Sequence, residues 1–314
     1  MADGDAVRKP KVLVPYPGPA TSSDEQDIFV YLRPESNGVL VESTLLRVIE
    51  RCPEYRTTIR LVYLANVPGD YIVAEHTVEE HYAVKFSYAV YGKQYFTPHM
   101  RDTFSRFFGV PFDSARIVGA FEALRELETT PEELFRLWVP AGDVLVVNGQ
   151  NIKRTGDVYV VNYDMPALLH KNNRGTDFAV MIFRTALTYD AFSEIVTRMH
   201  ESLVAAGLLE GDLPVSRVFH YSKGPFEQIL DGIGYLFSAD AKTALADLTF
   251  CRFLADRKIP FDEILGVIRN PICRFREQSG TTIEENIFVY TKHDSYVEAL
   301  RKYLCITSQV LVRR

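Results

Sequence analysis

The residues of this 314-residue chain best placed to do chemistry lie where apolar runs end. His220-Tyr-Ser222-Lys223-Gly224-Pro225 joins an imidazole, a hydroxyl and an ammonium to a glycine that permits close backbone approach and a proline that starts a helix. A helix N-terminus presents free N–H groups and the positive end of the helix dipole, and a nearby lysine adds charge. That combination suits an anion. The bland alternative is a capped turn with a solvated lysine.

Two further run-ends resemble each other. Glu25-Gln-Asp-Ile-Phe-Val-Tyr-Leu-Arg-Pro-Glu-Ser36 and Glu284-Glu-Asn-Ile-Phe-Val-Tyr-Thr-Lys-His-Asp-Ser295 share Ile-Phe-Val-Tyr, then a cation (Arg33, Lys292), an acid (Glu35, Asp294) and a serine (Ser36, Ser295). Read as an internal repeat, both copies are strands leading into serine-capped helices, and a fourth run closes in Arg184-Thr185. In open α/β sheets ligands bind at the carboxyl ends of strands. Arg33, Ser36, Arg184, Ser222, Lys223, Gly224, Lys292 and Ser295 are therefore the expected ligand-binding residues, with His220 and His293 as candidate proton carriers. Without function, the same pattern is two similar turns with serine caps.

A second-choice site is Lys85, Lys93, Tyr95, Thr97, His99 and Arg101, where cations alternate with aromatic rings that could stack on a nucleotide or on single-stranded RNA. An exposed strand face of amphipathic side chains explains the pattern equally. Glu75-His-Thr-Val-Glu-Glu-His81 fails the spacing of known zinc motifs, and no metal site is expected. Cys273 lies beside Arg274 and Arg276, which would favour a thiolate, but no partner base is placed near it and a packed thiol is the simpler reading. No P-loop, dinucleotide fingerprint or nucleophile elbow occurs, and no cofactor is indicated.

The elements that must position these residues follow from periodicity. Runs at Ile28–Leu32 and Thr57–Leu64 flank a helical pattern over 39–49, and runs at Phe178–Arg184 and Val215–His220 flank another over 189–206. Each is a β-α-β unit. Alternation at Val84, Phe86, Tyr88 and Val90 predicts a strand, and helices are expected over 98–108 and 114–127. Asp143–Val147 and Asp157–Val161 predict an antiparallel hairpin with a long loop, and helices are expected over 225–237, 239–255 and 261–268. Ile287–Tyr290 and Ser308–Val312 are expected strands around a short helix from Ser295, and Lys11–Val14 would suit an edge strand.

The expected fold is mixed α/β, with a mostly parallel sheet built from repeated β-α-β units, an inserted hairpin and a helical block near 225–270. Residues 1–24 read as an extended tail, and 25–172 and 173–314 as two halves or, equally, as one continuous domain. No apolar run reaches the roughly 20 residues needed to cross a bilayer. Four scattered cysteines and an N-terminus without an apolar leader core read as cytoplasmic. A formal charge of -6 argues against a dedicated nucleic-acid binder. The expected function is binding of a small anionic metabolite or nucleotide, phosphorylated or carboxylated, with group transfer if it is turned over. The alternatives are a protein-interaction scaffold and an RNA-associated protein using 85–101.

Overall fold

The computed structural model describes residues 7–22, 24–209, 213–238, 241–242 and 245–310. Parts of three expectations lie outside these residues: 1–6 and 23 of the tail, 239–240 and 243–244 of the helical block, and 311–312 of the last strand. Strands run in chain order as β1 (Lys11–Val14), β2 (Gln26–Leu32), β3 (Ile59–Val67), β4 (Arg116–Gly119), β5 (Val144–Val147), β6 (Gln150–Thr155) and β7 (Val158–Val161). They continue as β8 (Phe178–Thr185), β9 (Phe219–Tyr221), β10 (Phe237–Ser238), β11 (Ala241–Lys242), β12 (Ile272–Arg276), β13 (Thr282–Asn286) and β14 (Ile306–Gln309). The chain divides into two compact units: Met1–Thr77, Asn172–Ile264 and Thr291–Arg301 form the first, and Val78–Lys171, Leu265–Tyr290 and Lys302–Arg314 the second.

In the first unit five strands pair in the order β1-β3-β8-β2-β9, every pair antiparallel. Both expected β-α-β units are present, β2 to β3 through the Val39–Arg51 helix and β8 to β9 through the Tyr189–Ala205 helix. Each is split, because β8 lies between β2 and β3 while β2 lies between β8 and β9. This is the split β-α-β, ferredoxin-like, arrangement. It corrects the expected parallel sheet. Among the described residues the one parallel pair is β4 with β7, in the second unit. Periodicity reports which segments are strands, whereas the strand that enters between two others comes from distant sequence.

Side chains alternate across this sheet. Ile28, Val30 and Leu32 of β2, Met181 and Phe183 of β8 and Phe219 of β9 pack with Leu45, Phe192, Ile195 and Met199 of the two crossover helices. Each large apolar side chain so buried contributes about 1.5–3 kcal/mol. The other face carries Asp27, Phe29 and Tyr31, with Arg184, His220 and Ser222 from the neighbouring strands, all buried. Asp27 and Arg184 are cross-strand partners in register and form a buried ion pair at 2.7 Å. The Asp27 carboxylate also accepts hydrogen bonds from Tyr16 Oη at 2.6 Å and from Thr249 Oγ1, and Arg184 donates to the carbonyl of Gly18 at 2.7 Å. The segment after β1 and the Thr249–Ala255 helix are thereby tied to the sheet. β1 itself pairs with β3 as an edge strand, as its sequence suggested.

The second unit holds the sheet β4-β7-β6-β5 and the sheet β13-β12-β14. Thr97 caps the Pro98–Phe108 helix by accepting from Met100 N, as expected from Thr-Pro at a helix start. The expected long hairpin loop is itself a strand: Asn148-Gly149, both at positive φ, turn β5 into β6, and Gly156 turns β6 into β7. The expected helix over 114–127 opens as β4, and the helix begins only at Ala120. At that junction a Cβ on Gly119 would stand 2.2 Å from the carbonyl oxygen of Ala89, so no larger residue fits.

Two expected strands are helical. Ala83–Tyr91 is a helix packed on both sides, Val84 and Tyr88 in one apolar cluster and Tyr82, Phe86 and Ala89 in another. A short helix buried on two faces shows apolar residues at alternate positions, which is what a strand shows. Ile287–Tyr290 is a helical turn opened by Asn286, whose side-chain oxygen accepts from Phe288 N at 2.9 Å. The repeated tetrapeptide is thus a strand at 28–31 and a helical turn at 287–290, and the two copies are not repeats of one element. In the expected helical block, the Pro225–Tyr235 helix is followed by the small β10–β11 hairpin before the Thr249–Ala255 and Phe261–Arg269 helices. Likewise Val215–Val218 is a helical turn, and the strand begins at Phe219. No helix among the described residues is long and apolar enough to cross a membrane.

Removing one partner of a buried pair leaves the other charge uncompensated. Asp27→Ala is expected to destabilise the protein by about 3–5 kcal/mol. Arg116→Ala, which breaks a largely exposed pair with Glu126, should cost about 1 kcal/mol or less. Urea unfolding of the two variants beside the parent measures the difference.

Candidate functional site

His220 and Ser222 leave β9 on the polar face of the first unit's sheet, two residues apart and therefore on the same side. The cross-strand partner of His220 is Tyr31, whose ring stacks on the imidazole at 4.5 Å and 18°, with Tyr235 at 4.5 Å on Tyr31 in turn. After Ser222 the chain passes Lys223 and Gly224 into the Pro225–Tyr235 helix, proline in its first turn. Glu227 and Asp231 stand one helical turn apart on that helix and share a face.

Both acids meet the imidazole. His220 Nε2 lies 3.2 Å from Asp231 Oδ1, 3.4 Å from Asp231 Oδ2 and 3.8 Å from Glu227 Oε1. Each carboxylate is also held from outside: Ser222 Oγ donates to Asp231 Oδ2 at 2.6 Å, and Lys223 N donates to Glu227 Oε2 at 2.6 Å. Ser222 Oγ accepts from Phe29 N at 3.2 Å, which fixes the hydroxyl between β2 and the acid. This is not a nucleophile triad, because there the imidazole lies between serine and acid. Here the acid lies between serine and imidazole.

Burial lowers the basicity of His220, opposed by the charge of Glu227 and reinforced by the positive charges of Arg33 and Lys223. Burial likewise pushes the Glu227 carboxyl up, against the pull of His220, and nearby Asp231 adds to the rise. Asp231 is fully enclosed and His220 nearly so, whereas Glu227 keeps 19 % of its side chain in contact with solvent and forms the open side. A neutral imidazole facing two oriented carboxylates is a potential ligand- or metal-binding site. His220 and Asp231 offer donor atoms close enough to share one ion.

The structure brings some of the expected residues to this cluster and sends others elsewhere. Arg33 lies at the start of β9, its Nε on the carbonyl of Ser216 at 2.8 Å and its N–H on that of Val218. Ser36 also bonds through its hydroxyl to Val218 O. Lys223 lies at the other end of the strand, its ammonium over the Tyr221 ring at 5.7 Å. There the 291–295 exit joins it: His293 N donates to Lys223 O at 2.7 Å, and a Cβ on Gly224 would stand 2.7 Å from Thr291 O. His293 adopts a left-handed backbone and pairs through Nδ1 with Asp190 at 2.6 Å. Lys292 is exposed, and Ser295 caps the next helix by accepting from Glu298 N. Arg184 is committed to Asp27. In an antiparallel sheet successive strands end on opposite sides, so the carboxyl ends do not gather along one edge.

The second-choice residues do not share a strand face. Lys85 lies on the Ala83–Tyr91 helix and pairs with Asp164 at 3.3 Å, Thr97 is a buried cap that donates to Glu284, and Tyr95 stacks on Tyr91 at 4.9 Å. Lys93 is half-buried and His99 exposed. Arg101 lies over the Phe112 ring at 5.2 Å and lines an open cleft of about 600 Å³ with Ser105 and Asp113. In the Glu75–His81 stretch, His76 is exposed in a left-handed backbone and His81 is buried.

Glu227, Asp231 and Tyr31 were not among the residues that sequence picked out. One signal for the acids was available, an i, i+4 pair of carboxylates in the first turns of a helix that follows a His-x-Ser strand end. Tyr31 could be found only through the pairing of β2 with β9. Comparison with family models, with curated proteins and with solved structures finds no match for the chain.

Burial pushes the thiols of Cys251 and Cys273 up to about 12, which overrides any activation of Cys273 by its arginine neighbours. In native protein a thiol-specific disulfide reagent should modify the half-buried Cys52 and Cys305 first. Cys251 and Cys273 should react only on the timescale of unfolding, and their rapid labelling in the native state would contradict the packing described.

Proposed function

We propose that the chain binds a small anionic ligand, a phosphorylated or carboxylated metabolite or nucleotide, at the Glu227 side of the His220–Asp231 cluster. The observation that carries this reading is the pair of cations flanking one buried imidazole. Arg33 precedes β9 and Lys223 follows it, and both bear electrostatically on His220. An anion entering past Glu227 meets positive charge from both ends of a three-residue strand. In a poorly hydrated site such charge acts through a lower effective dielectric than in water, so two cations can outweigh one partly exposed acid. His220, Glu227 and Asp231 then face the reacting end of the ligand. The chemistry they suit is group transfer, with proton exchange at Nε2 or Oε1.

The test begins with a thermal-shift panel of inorganic phosphate, nucleotides, sugar phosphates and carboxylates. A ligand at 100 times its Kd adds about 2.7 kcal/mol of stability and should stand out as a rise of a few degrees. Arg33→Gln and Lys223→Gln are each expected to weaken the selected ligand about tenfold, about 1.4 kcal/mol, and the pair together more. Unchanged affinity in the double variant would remove the proposed site.

A further inference from the structure

The sequence contains two Asn-Gly pairs, Asn37-Gly38 and Asn148-Gly149, and the fold treats them in opposite ways. Such a pair carries a nucleophile and an electrophile on neighbouring residues: the backbone nitrogen of glycine, with no side chain to shield it, and the side-chain amide carbon of asparagine. Whether they react depends on what holds each group.

At Asn148-Gly149 the attacking and the leaving nitrogen are both held. Asn148 is fully buried, its Nδ2 donates to Glu284 Oε1 at 2.9 Å, and the N–H of Gly149 donates to the Glu285 carboxylate. A Cβ on Gly149 would stand 3.0 Å from Asn286 Nδ2, so the turn is closely packed as well.

At Asn37-Gly38 neither nitrogen is held. Among the described residues no acceptor takes Asn37 Nδ2 or the N–H of Gly38. A Cβ on Gly38 would meet nothing within 4 Å, Asn37 is half-buried, and Val39 and Leu40 beyond it are exposed. What is held is the amide oxygen. Ala179 N donates to Asn37 Oδ1 at 3.0 Å, just past the point where β8 stops pairing with β2. A fixed N–H there polarises the amide carbonyl and takes up the negative charge that gathers on its oxygen under attack.

We infer that Asn37 is a site of self-modification, at which Gly38 N attacks Asn37 Cγ and expels the side-chain nitrogen as ammonia. The proton of Gly38 N passes to hydroxide or buffer, the bond from Cγ to Nδ2 breaks, and Nδ2 leaves with a proton from water. The product is a cyclic succinimide. Water then opens it, either at the bond between Cγ and Gly38 N to give aspartate, or at the bond between the main-chain carbonyl carbon of residue 37 and Gly38 N to give isoaspartate. The second route adds a methylene to the main chain between Ser36, which is fastened to Val218 O, and the Val39–Arg51 helix.

The experiment ages the full chain in mildly alkaline buffer, native and in urea, and follows both pairs by peptide mass mapping, with enzymatic carboxyl methylation to count isoaspartate. In urea the two pairs should react at similar rates. In native protein Asn37 should stay within about tenfold of its rate in urea, while Asn148, which must wait for the hairpin to open, should slow at least about a hundredfold. The native reaction should quicken with rising pH and yield isoaspartate together with aspartate. Asn37→Gln should remove the isoaspartate formed by native protein. The inference is overturned if Asn37 is slowed by folding as much as Asn148, if native Asn37 yields aspartate alone, or if native Asn37→Gln still gains isoaspartate at the parent's rate.

Discussion

The first unit is built around a charge that cannot be left where it is without help. Asp27 is the second residue of β2, an interior strand between β8 and β9, and is fully buried. An isolated carboxylate there would cost several kcal/mol. Arg184 from β8, the hydroxyls of Tyr16 and Thr249, and Tyr296, whose hydroxyl accepts from Asp27 N at 3.3 Å, together surround it. Those partners come from four separate stretches of sequence. The polar face of the sheet is therefore roofed where a simple split β-α-β sheet leaves it open.

The roof has a consequence two residues along each strand. Tyr296 Oη donates to Gln228 Oε1 at 2.9 Å, and Gln228 in turn donates to Tyr189, which anchors the Pro225–Tyr235 helix over β2. Gln228 sits between Glu227 and Asp231 in sequence, so the contact that aligns the helix on the Asp27 network also fixes which way the two acids point. Buried polar networks of this kind are costly when incomplete and rigid when complete. The orientation of Glu227 and Asp231 toward His220 is thus inherited from an interaction several residues away. A helix packed for hydrophobic reasons alone would not need three polar residues on its inner side.

How much of this was legible in the sequence depends on whether the determining partner was near or far along the chain. Local signals were read correctly: Thr97-Pro98 starts a helix, Gly224-Pro225 starts another, and the two crossover units have their strands and helices in the right places apart from the last strand's first residues. The direction of pairing was not legible. Nor was the fate of Ile-Phe-Val-Tyr, because the tetrapeptide itself has no preference strong enough to decide. At 28–31 it has β8 and β9 on either side, while at 287–290 Asn286 caps a turn. The residue in front of each copy, Asp27 or Asn286, differs by one atom type and takes part in opposite outcomes. Pairing with β8 and β9 made the first copy a strand, in line with its composition, and a cap turned the second into a helical turn against it.

The site was half visible for the same reason. His220, Ser222 and Lys223 are contiguous in sequence, and their placement at a strand-to-helix turn could be read directly. Arg33 and Ser36 were read as ligand residues at a strand end, yet their backbone and side-chain bonds to Ser216 and Val218 show a second task. β9 is an edge strand of three residues with a neighbour on one side only, and so short a strand has little of its own to hold it. Arg33 and Ser36 fasten its beginning; the His293-to-Lys223 bond fastens its end. Between these two fixed points His220 can be presented to the acids without slipping, since a shift of one residue would turn it to the apolar face. Arg33, whose charge bears on the imidazole, is also one of the clamps that keep it in register, and that second task depends on Ser216 and Val218, partners far along the chain that no local pattern reveals.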